Sequence, residues 1–310
     1  MGRQVNEREI VLAVLMEITE NGAYSHKILG EVLSKYQYLE KKERAFITRV
    51  TEGTLEHLIE IDYILDQFSK VKVKKMKPVI RNILRSGVYQ LKYMDSVPAS
   101  AVCNEAVKLA VKKNFGTLRG FVNGVLRNIA RNIDNIEYPD KSTNTDKYLS
   151  VKYSVPEELA GYFLKKFGDN ETEEMFEAFN KDKSTYIRCN TKKTDIAGLT
   201  AALEAEGVTV TNEGIDKRID YALKISGYDY LGGLKSFRDG LFFVQDISSM
   251  LASQGGFIKR DAYVIDVCAA PGGKSINAAL MADIGHVSSR DISGRKVSLI
   301  KENAERLGID

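Results

Sequence analysis

Hydrophobic residues recur at three- and four-residue intervals through the first part of the chain, which places them on one face of an α-helix. The helical stripes cover residues 7–18, 41–68, 78–91, 101–110 and 120–133. Proline fits the start of the third stripe because an amide in the first helical turn has no partner to lose. The pattern therefore predicts an almost entirely helical region from Glu7 to about Asn135.

The pattern changes after this helical region. Residues 135–148 are polar and surround Pro139, which is typical of a linker. Residues 154–168 have the signals of a capped helix, with Ser154 at the N-cap and Gly168 after the last turn. A further helix is expected at residues 197–206, and strands are expected at residues 184–190, 208–210 and 222–225. Helices mixed with short strands predict a small α+β domain.

The sequence YVIDVCAAPGGKS at residues 263–275 combines a strand, a glycine turn and the start of a helix. A β-branched run ends at Val267, and residues 274–282 have a helical pattern. A second strand at residues 285–289 carries Asp291 just beyond its end, and a periodic helix follows at residues 293–308. Strand, helix, strand and helix in this order predict parallel strands joined by a right-handed crossover.

Glycines at the end of such a strand let backbone N–H groups and a helix N-terminus approach a ligand. Residues 268–275 have the length of a phosphate-binding loop, but Cys268 stands where the first glycine is required. Asp266 would also repel a triphosphate. A positively charged nucleoside such as S-adenosylmethionine suits this carboxylate better, and Asp291 is placed to accept hydrogen bonds from ribose hydroxyls. A purely structural turn is a third interpretation.

Composition narrows the class of protein. With 44% hydrophobic and 28% charged residues, the 310-residue chain has the composition of a soluble globular protein, and no apolar run is long enough to span a bilayer. Three cysteines do not suit a disulfide scaffold, which fits a reducing cytoplasm. These cysteines and the three histidines are too scattered to predict a metal site. A net charge of +3 is too small to establish a nucleic-acid partner.

Two segments of the helical region, VPASAVCNEAVKLAVKKNFG and GFVNGVLRNIA, resemble the signature segments of the NusB-like helical domain. Asn104 and the FVNGVLR block occur in the order expected of that family. The resemblance implies an RNA-binding bundle. Within it, Lys72, Lys74 and Lys75 belong to a lysine-rich run that would contact backbone phosphates. A lysine run by itself is also typical of a solvated loop.

The sequence DVCAAPGGKS, preceded by FFVQDISSML and followed by the acid of SRDIS, resembles the cofactor-binding region of the Sun/RsmB family of RNA (cytosine-5)-methyltransferases. Members of this family also carry a NusB-like N-terminal domain, so the resemblance extends over nearly the whole chain. It implies S-adenosylmethionine as the cofactor and 16S ribosomal RNA as the partner. In the family pattern Asp291 holds the ribose, and the methionine end is lined by Cys268, Ala269, Ala270, Pro271, Gly272, Gly273 and Lys274.

Methylation of cytosine at carbon 5 requires a thiolate that adds to carbon 6, because carbon 5 is otherwise a poor nucleophile. In the Sun/RsmB family the cysteines of this chemistry lie well C-terminal to the glycine loop. None of Cys103, Cys189 and Cys268 matches those motifs, so all three are expected to be buried structural thiols. The catalytic cysteine is therefore expected beyond Asp310, in a longer enzyme of which these residues are an inactive part.

The predicted fold is multidomain. It consists of an all-α NusB-like bundle at residues 1–138, a linker and small α+β domain at 139–235, and the first part of an α/β Rossmann-like methyltransferase domain at 236–310. Beyond 16S ribosomal RNA, neither a membrane nor a metal is expected as a partner, and a monomer is favoured. Two other functions stay open: an RNA-binding module without catalysis and a P-loop nucleotide hydrolase.

Overall fold

The computed structural model describes residues 6–181 and 184–309. The chain forms two compact units, Met1–Lys181 and Asp182–Asp310. The three-part division with boundaries after residues 138 and 235 stays a prediction. Within the described residues, none of the helices is both long enough and apolar enough to cross a bilayer.

The described part of the first unit is helical, as predicted for the residues from Glu7 to about Asn135. Its α-helices are α1 Glu7–Thr19, α2 Ser25–Lys35, α3 Lys41–Glu56, α4 Leu58–Phe68, α5 Pro78–Tyr93, α6 Ala99–Lys112, α7 Arg119–Arg131, α8 Thr145–Tyr153, α9 Glu157–Phe167 and α10 Asp169–Phe179. The long stripe at residues 41–68 is divided into α3 and α4 at His57. Helix α2 was not predicted, and α8 begins within the segment expected to be a linker.

Helix α5 lies at the centre of this unit and packs against α1, α3, α4, α6 and α7. Its residues Ile80, Ile83, Leu84 and Val88 are almost fully buried. A side chain at Gly87 would lie 2.8 Å from the side chain of Leu126 on α7. The close approach of α5 and α7 therefore depends on glycine at this position.

Ser154 does not cap α9, so that prediction is wrong. The residue has a φ of 57° and ends α8 in the left-handed conformation. Its hydroxyl accepts a hydrogen bond from the backbone N–H of Ile59 at 2.9 Å, which attaches α8 to the start of α4. Helix α9 begins after Pro156, whose fixed φ suits a helix start.

A buried carboxylate joins α4, α5 and the segment that follows α7. The Glu60 side chain is 2% exposed and accepts hydrogen bonds from Lys92 Nζ at 2.7 Å and the Tyr138 hydroxyl at 2.5 Å. Tyr93 donates to its other oxygen. Burial alone would raise the pKa of Glu60, but the neighbouring His57 ring, the Lys92 ammonium and the Tyr138 hydroxyl hold this pKa at about 2.

The second unit contains both strands and helices. Its strands are β1 Thr185–Cys189, β2 Thr209–Thr211, β3 Ala222–Ser226, β4 Phe242–Val244, β5 Tyr263–Asp266 and β6 His286–Ser289. Its helices are α11 Ile196–Ala205, α12 Lys235–Arg238, α13 Ile247–Gln254, α14 Gly273–Met281 and α15 Gly294–Leu307. Strands β2, β3, β1 and β4 form an antiparallel sheet in that order, which confirms the predicted α+β character.

Strands β5 and β6 form a separate parallel pair, in which Val264 lies beside Val287 and Asp266 beside Ser289. Helix α14 connects the two strands and α15 follows β6. This order confirms the predicted strand, helix, strand and helix. Because parallel strands end at the same edge, the residues after Asp266 and Ser289 are brought together there.

We expect Glu60→Gln to lower the free energy of unfolding of the first unit by about 3 kcal/mol at pH 7. A carboxyl whose folded pKa lies below its unfolded value stabilises above the unfolded pKa, and this contribution is lost as the pH falls towards about 2. The difference between the two proteins should therefore shrink in acid. Pulsed hydrogen exchange of α4 and α5 peptides during urea unfolding measures this at each pH.

The matched control for this substitution is Glu31→Gln, because Glu31 lies on the surface of α2 and is 61% exposed. An exposed ion pair contributes about 0–1 kcal/mol, so the control should unfold almost as the unchanged protein does. Equal losses for the two variants, or a loss for Glu60→Gln that does not vary with pH, would contradict the role assigned to the buried carboxylate.

Candidate functional site

Asp266, the last residue of β5, joins both ends of the loop between β5 and α14. One carboxylate oxygen accepts the backbone N–H of Cys268 at 3.1 Å, and the other accepts the Ser275 hydroxyl at 2.7 Å. The Ser275 residue is 3% exposed. In a phosphate-binding loop this hydroxyl must hold magnesium. Its engagement with Asp266 therefore disfavours the nucleotide hydrolase interpretation.

The two glycines of the loop serve different purposes. Gly272 has a φ of 106°, which residues with a side chain rarely adopt. At Gly273 a side chain would lie 3.0 Å from the ring of Phe243 and 3.7 Å from the Gln245 amide carbon. The first glycine is thus required by backbone conformation, and the second by the close approach of β4 and the residue after it.

Most loop amides are already hydrogen-bonded within the protein. Ala269 N–H donates to the Arg290 carbonyl at 3.0 Å, and Gly272 N–H donates to the Ala269 carbonyl at 2.7 Å. Among the described residues, the N–H groups of Gly273 and Lys274 at the start of α14 donate to no protein acceptor. Unpaired N–H groups at a helix N-terminus attract a negatively charged group.

Asp291 lies beside this loop, just after β6. Its carboxylate accepts the N–H of Ala270 at 3.2 Å and the N–H of Ile292 at 2.9 Å, and Lys296 Nζ lies 3.5 Å away. Burial by itself would raise the pKa of Asp291, but the Ala270 N–H and the Lys296 ammonium hold this pKa below its ordinary value. The structure thus brings the predicted acid and the predicted loop together.

The three cysteines differ in their environments. Cys103 and Cys189 are buried, as expected, and burial raises the pKa of Cys189 to about 11. Cys268 is exposed on the loop, so the expectation that it is a buried thiol is wrong. The neighbouring Val267 is also 65% exposed, so this end of β5 lies at the surface.

Two side chains of α15 make contacts outside their own helix that were not predicted from the sequence. Asn303 Nδ2 donates to the Pro271 carbonyl at 2.9 Å. Arg306 donates to the carbonyls of Phe237 and Phe242 at 2.8 and 3.2 Å, which ties α15 to the small antiparallel sheet. Both residues lie outside the apolar stripe that predicted this helix, and the stripe gives no information on what the other faces contact.

Lys72, Lys74 and Lys75 lie in the first unit, between α4 and α5. Lys72 precedes a short 3₁₀-helix, Val73–Lys75, which contains the other two lysines. Val73 in this helix is 4% exposed. The three lysines are exposed, and Lys72 Nζ donates to the Asp66 carbonyl at 2.9 Å. The buried valine therefore anchors a loop that presents positive charge to solvent.

Comparisons with known proteins agree with both resemblances seen in the sequence. Residues 5–131 match the NusB family. Residues 258–310 match the family described as 16S rRNA methyltransferase RsmB/F. The second match includes the loop and Asp291, and the first includes the lysine-bearing segment.

Similar proteins extend over nearly all of the chain. It is 35% identical over 308 residues to the probable ribosomal RNA small subunit methyltransferase B of Bacillus subtilis strain 168, a match that covers 99% of this chain and 67% of that protein. A protein of the same name from Synechocystis sp. is 29% identical over 309 residues, which cover 68% of it. The crystal structure of PH0851 has the same fold, with a TM-score of 0.73 and 24% identity over 99% of this chain and 68% of that one.

We expect Asn303→Ala to loosen the loop without unfolding α15. One hydrogen bond stabilises a folded structure by about 0.5–1.5 kcal/mol. Without it, amide hydrogen exchange in residues 268–274 should become about 2- to 10-fold faster. Glu302→Ala is the control, because Glu302 is the exposed neighbour on the same helix. Equal exchange in the two variants would show that Asn303 does not restrain the loop.

Proposed function

The chain belongs to the RsmB/F family of 16S rRNA methyltransferases, and we propose that it binds S-adenosylmethionine as the methyl donor for 16S ribosomal RNA. The contact between Asp291 and the loop supports this proposal most directly. The carboxylate is fixed against Ala270 at the carboxyl ends of two parallel strands, where nucleosides bind in open α/β sheets. Cys268, Ala269, Ala270, Pro271, Gly272, Gly273 and Lys274 would line the methionine end.

The charges of the site suit a nucleoside that carries positive charge rather than a triphosphate. A carboxylate can accept about four hydrogen bonds, and two backbone N–H groups occupy two of these positions on Asp291. The remaining acceptor positions, near which Lys296 Nζ lies at 3.5 Å, would accept the ribose hydroxyls. Asp266 adds a second negative charge next to the loop, which favours a sulfonium and opposes phosphate groups.

We assign the methylated atom as carbon 5 of a cytosine, through a cysteine-linked intermediate. None of the three cysteines suits the nucleophilic role in these 310 residues. Cys103 and Cys189 are buried, and Cys268 belongs to the loop that would hold the donor. We therefore propose that these residues bind the donor but do not themselves supply the attacking thiolate.

RNA contact is proposed for the first unit, through Lys72, Lys74 and Lys75. Their ammonium groups are exposed on a loop held by buried Val73 and Met76, so the charge is presented on a fixed segment. The second candidate function, RNA binding without catalysis, rests on the same lysines and on the NusB match. It differs from the first in requiring no donor at the loop of the second unit.

Asp291→Asn should weaken binding of S-adenosylmethionine by about 10- to 100-fold, since hydrogen bonds to a charged group contribute about 1.5–3 kcal/mol. Asparagine keeps one oxygen for the Ala270 N–H, so the loop should keep its conformation. Isothermal titration calorimetry of the full chain measures this change, and Asp283→Ala, which removes an exposed partner of Arg260, serves as the control.

Several results would contradict the proposed donor site. The donor could bind Asp291→Asn as tightly as the unchanged chain, or it could fail to bind either protein. Magnesium-dependent binding of ATP would instead support the nucleotide hydrolase. RNA binding without donor binding would favour the second candidate function.

Replacing Lys72, Lys74 and Lys75 with glutamine should weaken binding to 16S ribosomal RNA and reduce its salt dependence. Each lost phosphate contact lowers the slope of log affinity against log salt by about 0.7–0.9. Binding measured over a range of salt concentrations tests this, with glutamine at Lys27, Lys35 and Lys42 of the same unit as the charge-matched control. If the two triple variants have the same slope of log affinity against log salt, then Lys72, Lys74 and Lys75 do not contact RNA phosphates.

A further inference from the structure

Arg188 is buried in β1 without an anionic partner. The residue is 1% exposed, and its Nε donates to Gln245 Oε1 at 2.7 Å. Its NH2 group is buried without a hydrogen-bond acceptor, and among the described residues no carboxylate forms an ion pair with it. A buried guanidinium is strongly unfavourable unless it is paired, so this arrangement suits an anionic ligand.

The Gln245 side chain also has a buried hydrogen-bond donor without an acceptor. Its oxygen accepts from Arg188, but its Nε2 is buried without an acceptor, although Gln245 is only 6% exposed. The Nε2 atom lies 3.8 Å from the position that a Gly273 side chain would occupy. The Gln245 donor is thus held next to the start of α14, where the N–H groups of Gly273 and Lys274 are also unpaired, and Arg188 is hydrogen-bonded to the same glutamine.

Arg188 lies near the Phe243 ring and keeps its positive charge. The guanidinium lies 5.8 Å from the centre of the Phe243 ring, and the same ring touches the position of the missing Gly273 side chain at 3.0 Å. Burial lowers the pKa of Arg188 to about 10, which still leaves it charged at neutral pH. The charge is therefore retained next to Gln245 and Phe243, the two residues that approach Gly273.

We infer that Arg188 and Gln245 form, with the start of α14, a binding site for the carboxylate of the methyl donor's amino-acid end. This inference rests on the proposed function, because it extends the donor site from the loop to the neighbouring antiparallel sheet. A planar guanidinium fork matches a carboxylate in two parallel hydrogen bonds. The enclosed position suits a small carboxylate on a bound nucleoside better than a phosphate of a polynucleotide chain.

The test compares two ligands that differ only in this group, S-adenosylmethionine and decarboxylated S-adenosylmethionine. The unchanged 310-residue chain should bind the first about 10- to 100-fold more tightly, in accordance with the strength of hydrogen bonds between charged groups. Arg188→Met should lose most of this preference, because its affinity for the first ligand falls while its affinity for the second is unchanged. Arg218→Met, at an arginine paired with Asp216 on the surface, is the control that should keep the preference.

The thermal midpoint without ligand separates a binding role from a structural one. Arg188→Met removes an unpaired buried charge, so the midpoint should stay the same or rise. Gln245→Glu gives Arg188 a carboxylate of its own, so the midpoint should rise while the preference for S-adenosylmethionine disappears. The second variant tests the inference even where the first one does not fold.

Equal loss of both ligands in Arg188→Met, or a lowered midpoint in both variants, would overturn the inference and indicate a structural role. An unchanged ligand preference with weaker binding of 16S ribosomal RNA would overturn it in favour of a phosphate contact. An unchanged chain that binds both ligands equally well also overturns it, but leaves the donor site at the loop intact. Failure of the unchanged chain to bind either ligand would contradict the proposed function itself.

Discussion

The candidate site depends on the Asp266 carboxylate, which holds the beginning and the end of the glycine loop at the same time. It accepts the Cys268 N–H and the Ser275 hydroxyl, so β5 and α14 are connected through a single side chain as well as through the backbone. The Cys268 N–H and the Ser275 hydroxyl, which a phosphate-binding loop would need for its ligand, are therefore already hydrogen-bonded to Asp266. The first amides of α14 have no acceptor within the helix, and the Asp291 carboxylate is fixed on the same loop at Ala270.

The rest of the second unit supports the loop from two sides. Phe243 and Gln245 approach it through the space left by Gly273, and Asn303 of α15 holds the Pro271 carbonyl. The two supports are themselves linked, because Asn190 Nδ2 donates to the carbonyls of Gly240 and Leu307 at 2.8 and 2.7 Å. The small antiparallel sheet is therefore part of the donor site's framework, and this is the physical basis for assigning a ligand contact to it.

The parts of the fold with a clear period could be predicted from the sequence, as the helices of the first unit and the β5–α14–β6–α15 order illustrate. Contacts between distant segments could not be predicted. Ser154 has the residue type of an N-cap, yet its hydroxyl accepts from Ile59 and its backbone ends the preceding helix. Arg188 lies in a strand that was predicted correctly, but its burial without a partner depends on the packing of β4 and α14, which no local pattern records.

A crystal structure of the chain with S-adenosylhomocysteine tests the central claim most directly, because the position of each part of the ligand can be seen. We expect the ribose hydroxyls within hydrogen-bond distance of the Asp291 carboxylate and the amino-acid end of the ligand at residues 268–274. A ligand whose ribose contacts neither Asp291 nor the segment after β6, or one bound outside the loop, would contradict it.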